Sequence, residues 1–321
     1  MRFAVESWAP EYGSAIGEPA DPQHGSLADS AVAVRTDAEV PDDHWGPRDS
    51  TATPAEVVRF VDGVRRIDAR VWITGDDGQV HQGLAASYAA GVVRCDGVAR
   101  IESCTVRRNL FSAAPSLAAV ATRNGDYQPC AVTGEGVDEL SLRLQRRMGE
   151  LEARVASEAG IESLLIVDGP LGGVPLGGVS GLDSAVGYVK THRRTYLPAE
   201  LSGVVGELAP GQRTPLFLTT TGWSRWSWYL RLPSGAPSQA PAAHAWSGVV
   251  RCEASGDLET RAAVALADIS AATLPRYAST PQKDPRAPQN LVPVGELERV
   301  LRHALGDPRV LERGLRLAAG P

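Results

Sequence analysis

Along residues 137 to 159, VDELSLRLQRRMGELEARVASEA, apolar side chains recur every three or four positions at Val137, Leu140, Leu144, Met148, Leu151 and Val155. That period predicts a helix with one buried face, ended at Gly160. The next segment, SLLIVDGPL, is an unbroken apolar run closing on Asp168, the pattern of a buried central strand. Upstream, PAEVVRF leads into VDGVRRIDARVWI, whose β-branched and aromatic positions favour a strand over 66 to 74. GDDG at 75 to 78 supplies a turn, and QVHQGLAASYAAGVVRC continues as strand. Residues 57 to 95 therefore read as an antiparallel meander. Residues 98 to 122 fit neither period. Further strands are expected around PLFLTTT, RWSWYLRLP and WSGVVRCE, and helices from about Leu258 to Leu274 and from 294 to 305. Asp307 and Pro308 form the N-cap and first position of a last short helix. No repeat recurs at a fixed period.

The stretch from 9 to 55 mixes Pro, Gly, Asp and Ala without either period and reads as an irregular acidic arm or docking segment, residues 1 to 55, with the apolar Phe3, Val5 and Trp8 beside it as candidate docking residues, ahead of one domain, residues 56 to 321. The fold class expected is α/β, with a mixed β-sheet flanked by helices.

Composition sharpens this in three places. With 43% apolar residues in 321, the chain can bury a core without staples. Cys95, Cys104, Cys130 and Cys252 are scattered with no CxxC pair, against both a zinc site and a disulfide framework. The N-terminus MRFAVESWAPEYG lacks a continuous apolar run, so a soluble, cytoplasmic protein with no membrane segment is expected. The net charge of −6 is unevenly spread. Residues 1 to 50 hold ten acids and three arginines, −7, which leaves 28 acids against 29 bases, +1, for the rest. A neutral body can carry a local basic groove but not a broad positive field, so strong nucleic-acid binding would need help from a partner.

Phosphodiester hydrolysis by metal ions requires several carboxylates that converge, because closely spaced cations must be neutralised while their waters stay reactive. Asp62 and Asp168 share a Val-Asp-Gly frame, in which glycine allows a sharp turn or a close approach. Asp-Gly alone is an ordinary turn. At the end of LLIVDGPL, however, an unpaired carboxylate is costly to bury, and a metal or a charged partner would offset that. The helix offers Glu150 and Glu152. At about 100° per residue from Leu144, the apolar stripe centres near 10°, with Glu152 at about 80° and Glu150 at about 240°. Glu152 borders the buried face; Glu150 points to solvent.

The blocks FVDGVRRIDARVW, LLIVDGPL, GYVKTHRRTYLP and DPRAPQNLVPVGELERVLRHALGD, in this order from about Phe60 to Asp307, resemble those of the NurA family of nucleases, its bacterial members above all. The resemblance implies an RNase H-like core, manganese-dependent cleavage of DNA (5′–3′ exonuclease and single-strand endonuclease), a homodimer, and work beside a hexameric ATPase of the HerA type in end processing or anti-phage defence. By position, Asp62 matches the first catalytic acid, Glu152 the helical acid and Asp168 the second strand acid. Together they would hold two Mn²⁺ or Mg²⁺ ions. Lys190 and His192 fall in the Lys-Thr-His block, where Lys190 would join the catalytic set. Lys190, His192, Arg193, Lys283, Arg286 and Asn290 are the expected DNA contacts.

Two departures stand out. No histidine lies between His244 and His303 to match the one archaeal relatives carry in the C-terminal block, which leaves Asp284, as a further metal ligand, or Asn290. Asp168 is followed by Gly169, Pro170 and Leu171, with no tyrosine. The only two lysines, Lys190 and Lys283, both fall in these blocks, in a chain that otherwise uses thirty arginines. A compact ammonium suits a phosphate oxygen where space is tight. Two other functions fit the same chain: an inactive RNase H-like scaffold for a DNA translocase, and an RNA-cleaving or Argonaute-related enzyme.

Overall fold

The described parts of the segment expected to be an irregular arm, residues 1–5 and 33–55, pair with or pack on the sheet. The computed structural model describes residues 1–5, 33–75, 78–134, 136–160, 163–171, 185–192, 195–220, 223–233 and 245–320. Strand β1 (Arg2–Val5) runs antiparallel to the far half of a long strand, β3 (Val58–Thr74), with Val5 opposite Val71. At the other end of the sheet, β2 (Ala33–Arg35) pairs with Thr220, Thr219 and Leu218. Between them, Arg213, 2% exposed, is gripped by Glu39 at 2.9 Å and Asp268 at 2.7 Å. Ser50 donates to the Asp268 carbonyl, and the Ala55 N–H donates to Thr273. These contacts are made singly rather than along a face, so they leave no period in the sequence.

The meander is present and longer than expected: β3, β4 (Val80–Cys95) and β5 (Ala99–Ser112) run antiparallel in register. Strand β3 starts at Val58, so Asp62 lies within it and Gly63 makes no turn. Residues 99 to 112 are strand, where neither period was legible. Their outer half is mostly exposed, and only Asn109 to Ser112 are buried one after another. Strand β6 (Gln128–Ala131) adds parallel to β5. A bulge at Asp68 shifts the register between Ile67 and Ala69, and the buried Asp68 carboxylate accepts bonds from Ser87, Tyr127 and Arg66.

Helix α1 (Val137–Glu158) then carries the chain back, and β7 (Leu164–Asp168) joins parallel to the start of β3, Val61 opposite Val167. Strand β8 (Ala185–Val189), within the Gly-rich stretch, joins parallel to β7. Two single-turn helices, α2 (Ala199–Ser202) and α3 (Val204–Glu207), precede the antiparallel β9 (Phe217–Thr220), β10 (Ser224–Arg231) and β11 (Val249–Ser255). Helices α4 (Thr260–Thr273), α5 (Val292–Ala304) and α6 (Pro308–Ala319) follow, the last capped by the Asp307 side chain. The described strands form one mixed sheet in the order β2-β9-β10-β11-β8-β7-β3-β4-β5-β6, with β1 also on β3.

The two faces are buried by different helices. Phe60, Val64, Ile166 and Tyr188 pack with Leu297 and Leu301 of α5 and with α4 residues such as Ala267. Val61, Leu165 and Ala185 pack with Leu140, Leu144, Met148, Leu151 and Val155, the predicted stripe of α1. Central strands buried on both faces read as continuous apolar runs, which is why β4 and β7 show so little alternation. Among the described residues no helix is long and apolar enough to cross a membrane.

Candidate active site

Strand alternation places two acids side by side. Because Val61 and Val167 are paired neighbours facing α1, Asp62 and Asp168, one residue further along each strand, both face the α5 side. Gly169, at φ 113°, then turns the chain out of β7, and its N–H bonds the Tyr188 carbonyl. A side chain rarely adopts that φ. Beyond this point β3 runs on alone on that edge: β7 pairs only with residues 58–61 and β1 only with 71–74 among the described residues.

Glu152 enters that gap from the opposite face. Its carboxylate lies against Gly63, where an added Cβ would stand 2.8 Å from Cδ and 2.9 Å from Cγ of Glu152. The glycine after Asp62 therefore makes room for the helical acid. Helical phase sorts the two glutamates as expected, since Glu150 turns outward to Arg147 at 2.7 Å and Arg143 at 3.6 Å.

The electrostatics show three carboxylates short of positive charge. Burial, then repulsion from Asp168 and Glu152, raises the Asp62 pKa well above the carboxylate range, with Lys190 opposing. Burial and Asp168 push Glu152 up to about 8. Burial raises Asp168 as well, against the pull of Lys190. Lys190 donates to Asp168 Oδ2 at 2.6 Å, while Asp168 Oδ1 is buried without a hydrogen-bond partner among the described residues. An all-oxygen donor set with an orphaned oxygen and excess negative charge fits a hard divalent cation. The three acids surround the gap without closing on a point: among the described residues no three Asp, Glu, His or Cys side chains are already arranged to hold a metal ion.

Four expected roles change. Asp284 is not among the converging acids: its Oδ2 accepts from Asn290 at 2.5 Å, and its Oδ1 accepts from the Arg286 N–H at 2.7 Å. Asn290, 1% exposed, uses its other amide atom to accept from Lys190 at 3.1 Å, so it positions the lysine. The chain Asp284–Asn290–Lys190–Asp168 ties the loop before α5 to the end of β7. His192 packs its ring 4.9 Å from Trp246 and 5.7 Å from Tyr229 and bonds the Val249 carbonyl, and burial lowers its pKa. Its ring is thus taken up in packing against these aromatic neighbours. Arg286 spends its guanidinium on Glu298 at 2.8 Å and on Asp284. Lys283 is exposed, away from the acids' hydrogen bonds, and Arg193 lies outside the described residues.

Sequence reasoning missed a second buried charge cluster on the α1-side face. Glu253, 0% exposed, pairs with Arg251 at 2.7 Å and Arg225 at 3.2 Å. Its only sequence signal was arginine alternating with apolar residues in RWSWYLR and VVRCEAS. Compared with protein-family models and with curated proteins, the chain matches none.

Proposed function

We propose that this chain is a divalent-metal-dependent deoxyribonuclease of the NurA kind with an RNase H-like core. The observation that carries this reading is the meeting of Asp62, Asp168 and Glu152, from two adjacent parallel strands and a crossing helix, at a gap opened by Gly63. The order of elements supports the same reading: an antiparallel meander, a helix, then parallel strands added to the first strand of the meander. Asp62, Glu152 and Asp168 would hold the ions, and Asp168 Oδ1 is the atom most in need of one. When bound, Mn²⁺ or Mg²⁺ supplies an activated water and stabilises the leaving 3′ oxygen. Lys190 fixes the Asp168 carboxylate in one rotamer and lends its charge to the phosphate approaching beside it. The neutral body is consistent with substrate delivered by a HerA-type hexameric ATPase, and with a homodimer as the working unit.

A nuclease assay on 5′-labelled and 3′-labelled single and double strands, with Mn²⁺, Mg²⁺ or chelator, tests this. Asp62→Ala and Asp168→Asn should each abolish cleavage with the fold intact, and full activity in either removes the proposed site. A second reading, an inactive scaffold of a DNA translocase, is favoured by the Lys190–Asp168 ion pair, which already neutralises one acid. No metal-dependent cleavage of any substrate by the wild type, alone or with the ATPase, would select it.

A further inference from the structure

Two arginines sharing one acid leave a surplus positive charge under the sheet. Arg225, 8% exposed, and Arg251, 6% exposed, flank Glu253 on the α1-side face of β10 and β11. The Nε atoms of both, and the Ser227 hydroxyl between them, are buried without a hydrogen-bond partner among the described residues. The Arg225 Nε lies 3.2 Å from Glu253 but out of line for a hydrogen bond. Aromatic rings cover the guanidinium planes: Arg251 lies 4.4 Å from the centre of Tyr196, and Arg225 lies 5.3 Å from Trp223. Buried donors without acceptors are costly unless an acceptor arrives from outside.

The position of this cluster matters. Glu253 pairs with Gly187 of β8, which pairs with Val167 of β7, so at about 4.8 Å per strand Arg251 on β11 stands about 10 Å, and Arg225 on β10 about 14 Å, from the strand that ends in Asp168. Leu171, three residues past Asp168, donates its N–H to Glu253 at 3.3 Å. Glu152 enters the gap at Gly63 on this same face.

We infer that Arg225 and Arg251, with Trp223 and Tyr196, form a binding site for a single nucleic-acid strand that feeds the acidic gap: the guanidiniums take backbone phosphates and the rings stack on bases. The site rests on the nuclease reading for its purpose but not for its existence. Arginine paired with aromatic rings is the combination that holds single strands without regard to sequence, because phosphate and the faces of bases are common to all. One carboxylate between two arginines keeps them apart and oriented, and leaves one charge for the ligand.

The test uses the full chain with chelator present, so that binding is read without cleavage. Fluorescence anisotropy of a labelled oligothymidine of about 12 nucleotides is followed against salt. Arg225→Ala with Arg251→Ala should weaken binding about tenfold and reduce the log–log salt slope by about 0.7, for the one phosphate that the surplus charge neutralises. Trp223→Ala should weaken binding with the slope unchanged, and inorganic phosphate at equal phosphate concentration should not compete. Should the arginine variants unfold, ultraviolet crosslinking of the same oligonucleotide to the wild type decides: adducts at Trp223 or Tyr196 support the site, and adducts elsewhere overturn it. Unchanged affinity and slope in folded arginine variants overturn it too, even if the protein cleaves DNA. Arginine-dependent binding by a protein that cleaves nothing with any metal keeps this site and removes the nuclease reading.

Discussion

At the scale of single residues, Gly63 is as much a part of the candidate site as the acids it separates. Its missing Cβ is what lets the Glu152 carboxylate sit beside Asp62. Gly63→Ala meets the end of a flexible side chain rather than backbone, so the strand should survive and Glu152 should swing away. We expect a folded protein whose metal-dependent cleavage falls about 100-fold, the cost of misplacing one group by about an ångström. Glu152→Gln should lose cleavage as well, while Glu150→Gln, already paired with Arg147 at the surface, should keep it. Glu152 also predicts a pH dependence. Its folded pKa of about 8 lies above the ordinary value of 4.5, so the native state holds a proton that the unfolded chain has released. The contribution of Glu152 to metal-free stability is then most favourable below about 4.5 and declines as pH rises towards 8, by the linkage of proton binding to folding. Chemical denaturation across that window should show the decline in the wild type and a flatter profile in Glu152→Gln. An equal slope in both would remove Glu152 from the coupled cluster.

At the scale of elements, what was legible in the sequence is what a regular period writes into it. The α1 stripe, the β7 run ending in Asp168 and the Asp307 cap stand where periodicity and capping placed them. The β3 start was not legible, because Val58, Phe60 and Val61 are buried on both faces and the strand carries no alternation there. Strand β8 was hidden behind glycines, one of which, Gly187, is required because Leu171 and the Gly169 carbonyl lie over it. Asp168 stood out because it closes an apolar run where an unpaired charge is costly, Glu152 because of its helical phase, and Asp62 only through its Val-Asp-Gly frame and the family resemblance. The Asp284–Asn290–Lys190 relay was not, since it joins residues 94 to 100 positions apart through side chains alone. That relay makes the loop before α5 a positioning device for Lys190. Asn290→Ala should lower cleavage about 10- to 100-fold, as loss of a partner behind a metal ligand does, and should act on kcat more than on KM. Asn290→Ala with wild-type kinetics would leave Lys190 held by Asp168 alone.

At the scale of the whole molecule, the described parts of the acidic N-terminal segment, residues 1–5 and 33–55, are joined to the body. Strand β1 closes the far edge of β3, β2 caps the β9 edge, and Glu39 answers the buried charge of Arg213 together with Asp268. Phe3 and Val5 pack against the sheet's own core, so they are not a free docking element, and Trp8 lies outside the described residues. The high acid content of residues 1 to 50 therefore does not by itself argue for a partner. Removing residues 1 to 50 should destabilise the rest of the chain rather than only detach a docking arm. Glu39→Gln isolates the electrostatic share, because it breaks a buried ion pair while keeping the side chain's shape, a loss of about 3 kcal/mol or somewhat less since Asp268 remains. Burial works to raise the Glu39 pKa, but bonds from Arg213 and the Leu216 N–H, with the charges of Arg213 and Arg48, hold it below its ordinary 4.5. The native state thus favours the charged carboxylate, and the stabilisation is present above about pH 4.5 and lost as pH falls through the lower folded value. Thermal melts of wild type and Glu39→Gln should accordingly differ at neutral pH and converge in acid. A difference that persists unchanged into acid would mean that shape, not charge, joins the segment to the body.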